Sequence, residues 1–265
     1  MRIALGVEYD GSRFHGWQTQ QEGVRSVQQT VEQALSRVAD HPVSVICAGR
    51  TDTGVHAREQ VAHFDTDARR PAHGWVMGAN VNLPGDVSIL WAGEVADDFH
   101  ARFSATGRTY RYWILNRLSR PAIFARRVTW IHRALDAQRM HRAGQVLVGR
   151  HDFTSYRTVH CQAHSPVRTI RHLRVERQGE LICLEVSADG FLHHMVRNIA
   201  GVLIAIGSGE QPEDWAAEVL EHRDRTLGGV TAPADGLYFH HVDYPETHAL
   251  PRPVSTPADP LRFLY

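Results

Sequence analysis

The 265 residues contain no lysine: all 29 cations are arginine, matched by 29 acids for a formal net charge of zero. A genome rich in G and C, whose codons favour arginine, explains the missing lysine but not where the arginines lie. Cysteine is scarce too. Cys47, Cys161 and Cys183 are far apart and never form Cys-x-x-Cys, which argues against a disulfide framework or a structural zinc site and fits a reducing cytoplasm. Long apolar runs are also missing. The longest, residues 199–207, is about half the ~18 needed to cross a bilayer. The first residues lack a basic segment followed by an apolar stretch, so no secretory signal is expected. The expectation is a soluble protein of one large or, more naturally, two ordinary domains.

Neutrality hides a strong asymmetry. Residues 1–99 carry 8 Arg and 13 acids, residues 100–177 carry 16 and 3, and residues 178–265 carry 5 and 13. The middle third also holds seven His. Clustered guanidinium groups bind phosphates and release counterions, so this stretch points to a polyanion, with nucleic acid favoured over a merely solvated basic face.

Residues 2–9 alternate as a strand, and residues 26–35 space Val27, Val31 and Leu35 at helical intervals behind Ser26, a good N-cap. Strands are expected at 43–48, 60–64, 86–94 and 108–115, the last with Arg108, Tyr110 and Tyr112 on one face. Beyond them the pattern predicts a helix over 135–148, a hairpin of 168–176 with 181–187 through Gln178-Gly179, helices over 191–206 and 212–222, and a strand at 237–242. Strands and helices mix without regular alternation, which predicts an α+β fold with mainly antiparallel sheets flanked by helices. The domain change falls near Phe99 to Arg108, giving domains over 1–106 and 107–245 and an irregular, Pro-rich tail over 246–265.

The stretch Cys47-Ala48-Gly49-Arg50-Thr51-Asp52-Thr53-Gly54-Val55-His56 lies between two expected strands. Asp-Thr-Gly is also the aspartic protease signature, but those enzymes need two carboxylates sharing a proton, and no second copy exists here. A guanidinium at Arg50 would moreover keep Asp52 ionised. An Asx-turn explains the same residues without any chemistry.

Context changes the balance. The loop resembles the catalytic loop of the TruA family of tRNA pseudouridine synthases, and the likeness continues in collinear order along nearly the whole chain. Tyr9-Asp10-Gly11 with Phe14-His15-Gly16-Trp17-Gln18 resembles the family's opening segment, and Phe99-His100-Ala101-Arg102-Phe103-Ser104-Ala105 leading to Arg108-Thr109-Tyr110-Arg111-Tyr112 resembles its central one. His151-Asp152-Phe153-Thr154-Ser155-Tyr156, Phe191-Leu192-His193-His194-Met195-Val196-Arg197-Asn198 and Asp235-Gly236-Leu237-Tyr238 complete it. Thr53 departs from the Ala more usual there. The resemblance implies the pseudouridine synthase fold, two α+β domains with the active-site cleft between them, a homodimer in the cytoplasm, and isomerisation of uridine to pseudouridine in the anticodon stem-loop of tRNA (positions 38–40). It implies no nucleotide cofactor and no metal, and the chain has no G-x-G-x-x-G, G-x-x-x-x-G-K-[ST] or H-E-x-x-H pattern.

By the same resemblance Asp52 matches the catalytic aspartate, with Arg50 holding its charge. Tyr110 matches the tyrosine that stacks on the flipped uracil and moves a proton. Arg197 would pair with Asp52: on the expected 191–206 helix, His193, Arg197 and Gly201 form one narrow polar line beside an apolar stripe, and a charge there needs a partner. Arg58, Arg108, Arg126, Arg127, His193 and His194 are the further candidates for RNA contact. A non-catalytic RNA-binding module, using the arginines with Tyr110, Tyr112 and Trp113, is the alternative.

Overall fold

The computed structural model describes residues 1–159, 161–248 and 250–252. The chain forms two compact units, Met1–Thr106 together with the chain from Phe239 onward, and Gly107–Tyr238. The second boundary differs from the expected residue 245. The reason is local: after Phe239 the chain bonds to the first unit, with the Thr106 N–H on the Asp243 carbonyl at 2.9 Å, the Tyr244 hydroxyl on the Ala101 carbonyl at 2.6 Å and the Arg252 guanidinium on Glu59. The expected tail over 246–265 lies mostly outside the described residues; residues 246–248 and 250–252 carry no helix or strand.

In the first unit, β1 (Arg2–Tyr9) lies between β3 (His56–Asp65) and β4 (Val87–Val95), antiparallel to both, and the two-residue β2 (Ile46–Cys47) pairs with β3. The expected strand over 43–48 shrinks to β2, and β3 runs longer than expected. Helix α1 (Val27–Ala39) starts where Ser26 Oγ accepts the Gln29 N–H, and it buries Val27, Val31 and Leu35. Helix α2 (Ala72–Asn82) has no counterpart in the sequence expectation. Its apolar residues fall on both faces, Trp75 and Ala79 inward and Met77 and Val81 outward, so no amphipathic stripe announces it.

In the second unit the antiparallel order is β5 (Gly107–Asn116), β9 (Leu181–Ala188), β8 (Val167–Gln178), β7 (Gly149–Asp152), and β6 (Thr129–Ile131) runs parallel to β5. The β8–β9 hairpin turns at Gly179, whose φ of +60° suits a residue without Cβ. Helix α3 (Ala137–Gly144) is capped by Asp136, which accepts the N–H groups of Gln138 and Arg139. It is followed by α4 (Met195–Gly207) and α5 (Trp215–His222), and then by β10 (Leu237–Asp243), most of which belongs to the first unit. Helix α4 starts four residues later than its apolar pattern suggests, because His194 sits at φ +62° and breaks the helical path. His193 is therefore off the helix, and the expected polar line keeps only Arg197 and Gly201. Mixed helices with mainly antiparallel sheets make the fold α+β, as expected from the sequence. No helix among the described residues is long and apolar enough to cross a membrane.

Candidate active site

The loop from Ala48 to Val55 leaves β2 and enters β3. Neighbouring groups fasten it at several steps. Ala48 donates its N–H to the Val61 carbonyl at 2.8 Å, and the fully buried Gln60 donates Nε2 to the Gly49 carbonyl at 2.6 Å. The Tyr9 hydroxyl lies 2.8 Å from Thr51 Oγ1, in a setting where burial pushes the phenol well above its ordinary range. The N–H of Trp17 reaches the Thr51 carbonyl at 3.0 Å, and the Gly54 N–H reaches the Phe14 carbonyl at 3.3 Å.

The turn itself closes from the Val55 N–H to the main-chain carbonyl of Asp52 at 3.1 Å, with Gly54 at φ +80°. That carbonyl is supplied by any residue. The aspartate side chain on that turn is half-buried.

The opening segment of the chain acts as a cradle for this loop. A Cβ on Gly11 would meet the Val55 carbonyl oxygen at 1.9 Å, and one on Gly16, already at φ +92°, would meet the Thr51 oxygen at 2.6 Å. Both glycines are there because backbone passes against backbone. Phe14 and Trp17 are buried beneath. His56 Nδ1 accepts the Gly11 N–H at 3.0 Å, tying the same two segments at their far end. The spaced motifs around residues 9–18 and 48–57 are thus one physical object.

Arg50 is exposed, and no ion pair joins it to Asp52 among the described residues. Its field is felt at Cys47 instead: burial pushes that thiol up to about 12, against the opposing pull of Arg50 and Arg102. Arg58 pairs with Glu8 at 3.1 Å along the sheet.

In the second unit, the half-buried Tyr110 stands on β5 opposite Val186, with its ring edge-on to Phe191 at 5.0 Å and 81°. Two residues on, Tyr112 is fully buried and its hydroxyl meets Thr129 Oγ1 at 2.5 Å and the Pro233 carbonyl at 2.9 Å. The shared face expected from alternation thus carries two unlike tyrosines, one in the core and one at its edge. Arg108 Nη1 reaches the Asp189 carbonyl at 3.2 Å.

Arg197 on α4 donates Nε to the Ala232 carbonyl at 2.7 Å, while its own carbonyl accepts the Ala232 N–H at 3.1 Å. A Cβ on Gly201 would meet the Val230 oxygen at 1.8 Å, so the segment 230–232 occupies the Arg197–Gly201 line. Exposed His193 and half-buried His194 bring their rings to 4.2 Å, and the His193 carbonyl accepts the Thr158 N–H.

Asn198 was not singled out in the sequence, yet it is the hub here. It is buried, donates Nδ2 to the Tyr156 carbonyl at 2.7 Å, and its Oδ1 accepts Arg225 Nη2 at 3.0 Å and the Thr231 hydroxyl at 2.6 Å. Its signal in sequence was a polar residue among the apolar positions of a helix. The closing motif plays a similar part: Gly236 lets the chain pass the Trp113 carbonyl, and the Tyr238 hydroxyl holds the Arg127 carbonyl at 2.7 Å. Arg126, at φ +63°, and Arg127 are exposed on that loop.

The charge asymmetry is partly cancelled within this unit. Arg111 pairs with Glu185, Arg117 with Glu180, Arg133 with Glu210 and Arg142 with Glu213, so acids from the last third of the chain neutralise arginines of the middle third. The segment charge therefore overstates what is offered to a polyanion.

The same motifs fix the relationships of the chain. The model of the tRNA pseudouridine synthase family matches residues 6–104 and 143–245. The tRNA pseudouridine synthase A of Nitrosococcus oceani is 62% identical over 252 residues, covering 95% of this chain and 97% of that protein. That of Pseudomonas aeruginosa is 60% identical over 250 residues (94% and 88%), and that of Alcanivorax borkumensis is 58% identical over 250 residues (94% of each). On a match that takes in both the Asp52 loop with its cradle and the α4 hub, the chain belongs to the tRNA pseudouridine synthase family.

Proposed function

We propose that the protein isomerises uridine to pseudouridine in tRNA, with Asp52 as the reacting carboxylate. The observation that carries this is the family match across the Asp52 loop, together with the bracing of that loop by its neighbours. The loop is closed by the main chain and braced by Gln60, Tyr9, Phe14 and Trp17. A carboxylate presented on so firmly held a backbone, whose turn the main chain closes, suits chemistry.

In the reaction the bond from ribose C1′ to uracil N1 breaks, the ring turns while bound, and a bond from C1′ to C5 forms. The proton leaves C5 and N1 gains one, so no redox partner or water is consumed. Asp52 serves as nucleophile or as acid–base partner. Tyr110 supplies a ring to stack on the extruded uracil, its edge contact with Phe191 fixing the orientation. Arg50, exposed on the loop, contacts the RNA backbone near the extruded nucleotide, and Arg197 completes the set. Arg108, Arg126, Arg127, His193 and His194 extend the RNA contact, whereas Arg58, paired with Glu8, contributes more to the sheet. The substrate uridines are those at positions 38–40, and the working form is a cytoplasmic homodimer.

The test is the Asp52→Asn variant. Asparagine keeps the main-chain turn and nearly the same volume, so melting and tRNA binding are expected to match the wild type while pseudouridine formation becomes undetectable by mass spectrometry after carbodiimide labelling. Sustained turnover by the pure variant would return Asp52 to a turn residue. A wild type that binds tRNA and makes no product would identify an RNA-binding module instead.

A further inference from the structure

Residues 96–105 join β4 to β5, and their backbone is held at nearly every step. Phe99 is fully buried between the rings of Tyr244 at 5.1 Å and His248 at 5.6 Å, and its carbonyl accepts Arg2 Nη1 at 2.8 Å. Ala101, also fully buried, donates its N–H to His63 Nδ1 at 3.1 Å. His100 donates its N–H to Ser104 Oγ at 3.0 Å, and its Nδ1 accepts the N–H groups of Arg102 at 3.1 Å and Phe103 at 3.2 Å.

This rigid frame delivers one large apolar side chain to the surface. Phe103 is 76% exposed. Its ring lies 4.3 Å from that of His100 with planes 32° apart, and the Arg102 guanidinium carbon lies 5.5 Å from its centroid. A single exposed apolar residue is ordinary. A phenylalanine oriented by a ring contact, by a main-chain bond to that same ring and by a guanidinium over its face, and still so exposed, is not.

The neighbours say what would cover it. A protein-binding hot spot sits in an apolar, dry surround, but Phe103 is bordered by His100, Arg102 and Ser104. Aromatic face, imidazole and guanidinium together are the chemistry that receives an unpaired nucleobase and its phosphate. Arg102 is also close enough to the start of the Asp52 loop to pull on the Cys47 thiol, as Arg50 does.

We propose that Phe103, stacked on His100 and flanked by Arg102, is a stacking platform for one unpaired base of the bound tRNA, other than the uridine that reacts. The inference rests on the reading that the chain acts on tRNA. Stacking on a ring tolerates any base and varies little with salt, whereas a guanidinium–phosphate contact depends steeply on it.

The experiment measures tRNA affinity and kcat/KM for the wild type and for Phe103→Ala, Phe103→Leu and Phe103→Trp at two salt concentrations. Alanine is expected to weaken binding about tenfold, leucine nearly as much because it keeps apolar area without a π-face, and tryptophan is expected to restore it. The loss should be equal at both salt concentrations, while Arg102→Ala should lower the salt slope by about one. Wild-type affinity in the leucine variant would overturn the proposal, since area and not stacking would then suffice. So would a change of oligomeric state in Phe103→Ala at unchanged affinity, which would assign the ring to a second copy of the chain. A wild type that makes no pseudouridine would defeat the proposed function, a failure distinct from these.

Discussion

The cradle around the Asp52 loop is testable with a single methyl group. In Gly16→Ala the new Cβ would lie 2.6 Å from the Thr51 oxygen, 3.2 Å from the Asp52 carbonyl carbon and 3.3 Å from the Thr53 nitrogen. All three are backbone atoms, and they bracket Asp52 on both sides. To reach ordinary contact at 3.4 Å the Thr51 carbonyl must retreat by about 0.8 Å, and that carbonyl is the one that accepts the Trp17 N–H. A displacement near 1 Å of a reacting group costs up to about a hundredfold in rate. The substitution also forces alanine to φ +92°, which costs about 1–2 kcal/mol on its own.

Gly23→Ala separates the two effects. Gly23 has φ +85°, and a Cβ added there would meet nothing within 4 Å, so alanine carries the backbone strain without the clash. Gly23→Ala is expected to lower the melting temperature by roughly 2–8 °C, from about 1–2 kcal/mol in a chain of this size, with full turnover. Gly16→Ala should melt lower still and lose roughly 10–100-fold in kcat under single-turnover conditions. Equal turnover in the two variants would refute the claim that the opening segment sets the position of Asp52.

Two further outcomes follow from other contacts. Tyr110→Phe keeps the edge contact with Phe191 and the stacking ring, so tRNA binding should survive while turnover falls; unchanged turnover would show that the hydroxyl moves no proton. His63 responds to pH: burial, aided by the Arg2 and His100 charges, pushes its pKa down to about 4, and its Nδ1 holds the Ala101 N–H. Between the ordinary value of 6.5 and about 4 the unfolded chain takes up a proton that the folded one refuses, so stability falls as pH drops through that window, by at most about 3 kcal/mol. His63→Asn, which keeps an acceptor but does not titrate, should flatten urea midpoints between pH 6.5 and 4.5 relative to the wild type; parallel losses in both would remove His63 as the cause.

The α+β class and most strands were legible because their apolar residues alternate and their turns carry the right residues, as at Gly179. The misses have physical causes. Helix α2 hid because Met77 and Val81 are as apolar as the buried Trp75 and Ala79, leaving no stripe to read. Helix α4 was read four residues too long because Phe191 and Leu192 continue its apolar pattern, whereas the stop is set by the φ of one residue, His194. The domain boundary at residue 245 missed because Tyr244 and Arg252 are committed by contacts to Ala101 and Glu59, which lie far away in sequence. Asp52 was conspicuous as a motif, but local sequence alone could not separate a turn aspartate from a reacting one. The Asp52→Asn variant draws that distinction, because a main-chain carbonyl closes the turn whichever role the side chain has.

The collinear motifs divide by what their residues do. Gly11, Gly16 and Gly236 are there so that backbone can pass against backbone, as Gly201 is just beyond the fifth motif; Asn198 satisfies a buried carbonyl, as Gln60 does just beyond the loop; Tyr112 and Tyr156 end in buried hydrogen bonds. Other motif residues are exposed instead, among them Arg50, Arg102, His193 and, on its braced loop, Phe103. A glycine or a buried amide in such a motif tolerates almost no replacement, because its neighbours are main-chain atoms that cannot yield. An exposed ring or guanidinium tolerates replacement structurally and is limited by its ligand alone. Stability and tRNA affinity should therefore separate across the motifs, with Asn198 and Gly201 variants losing the fold first and Arg50 and Phe103 variants losing only the RNA.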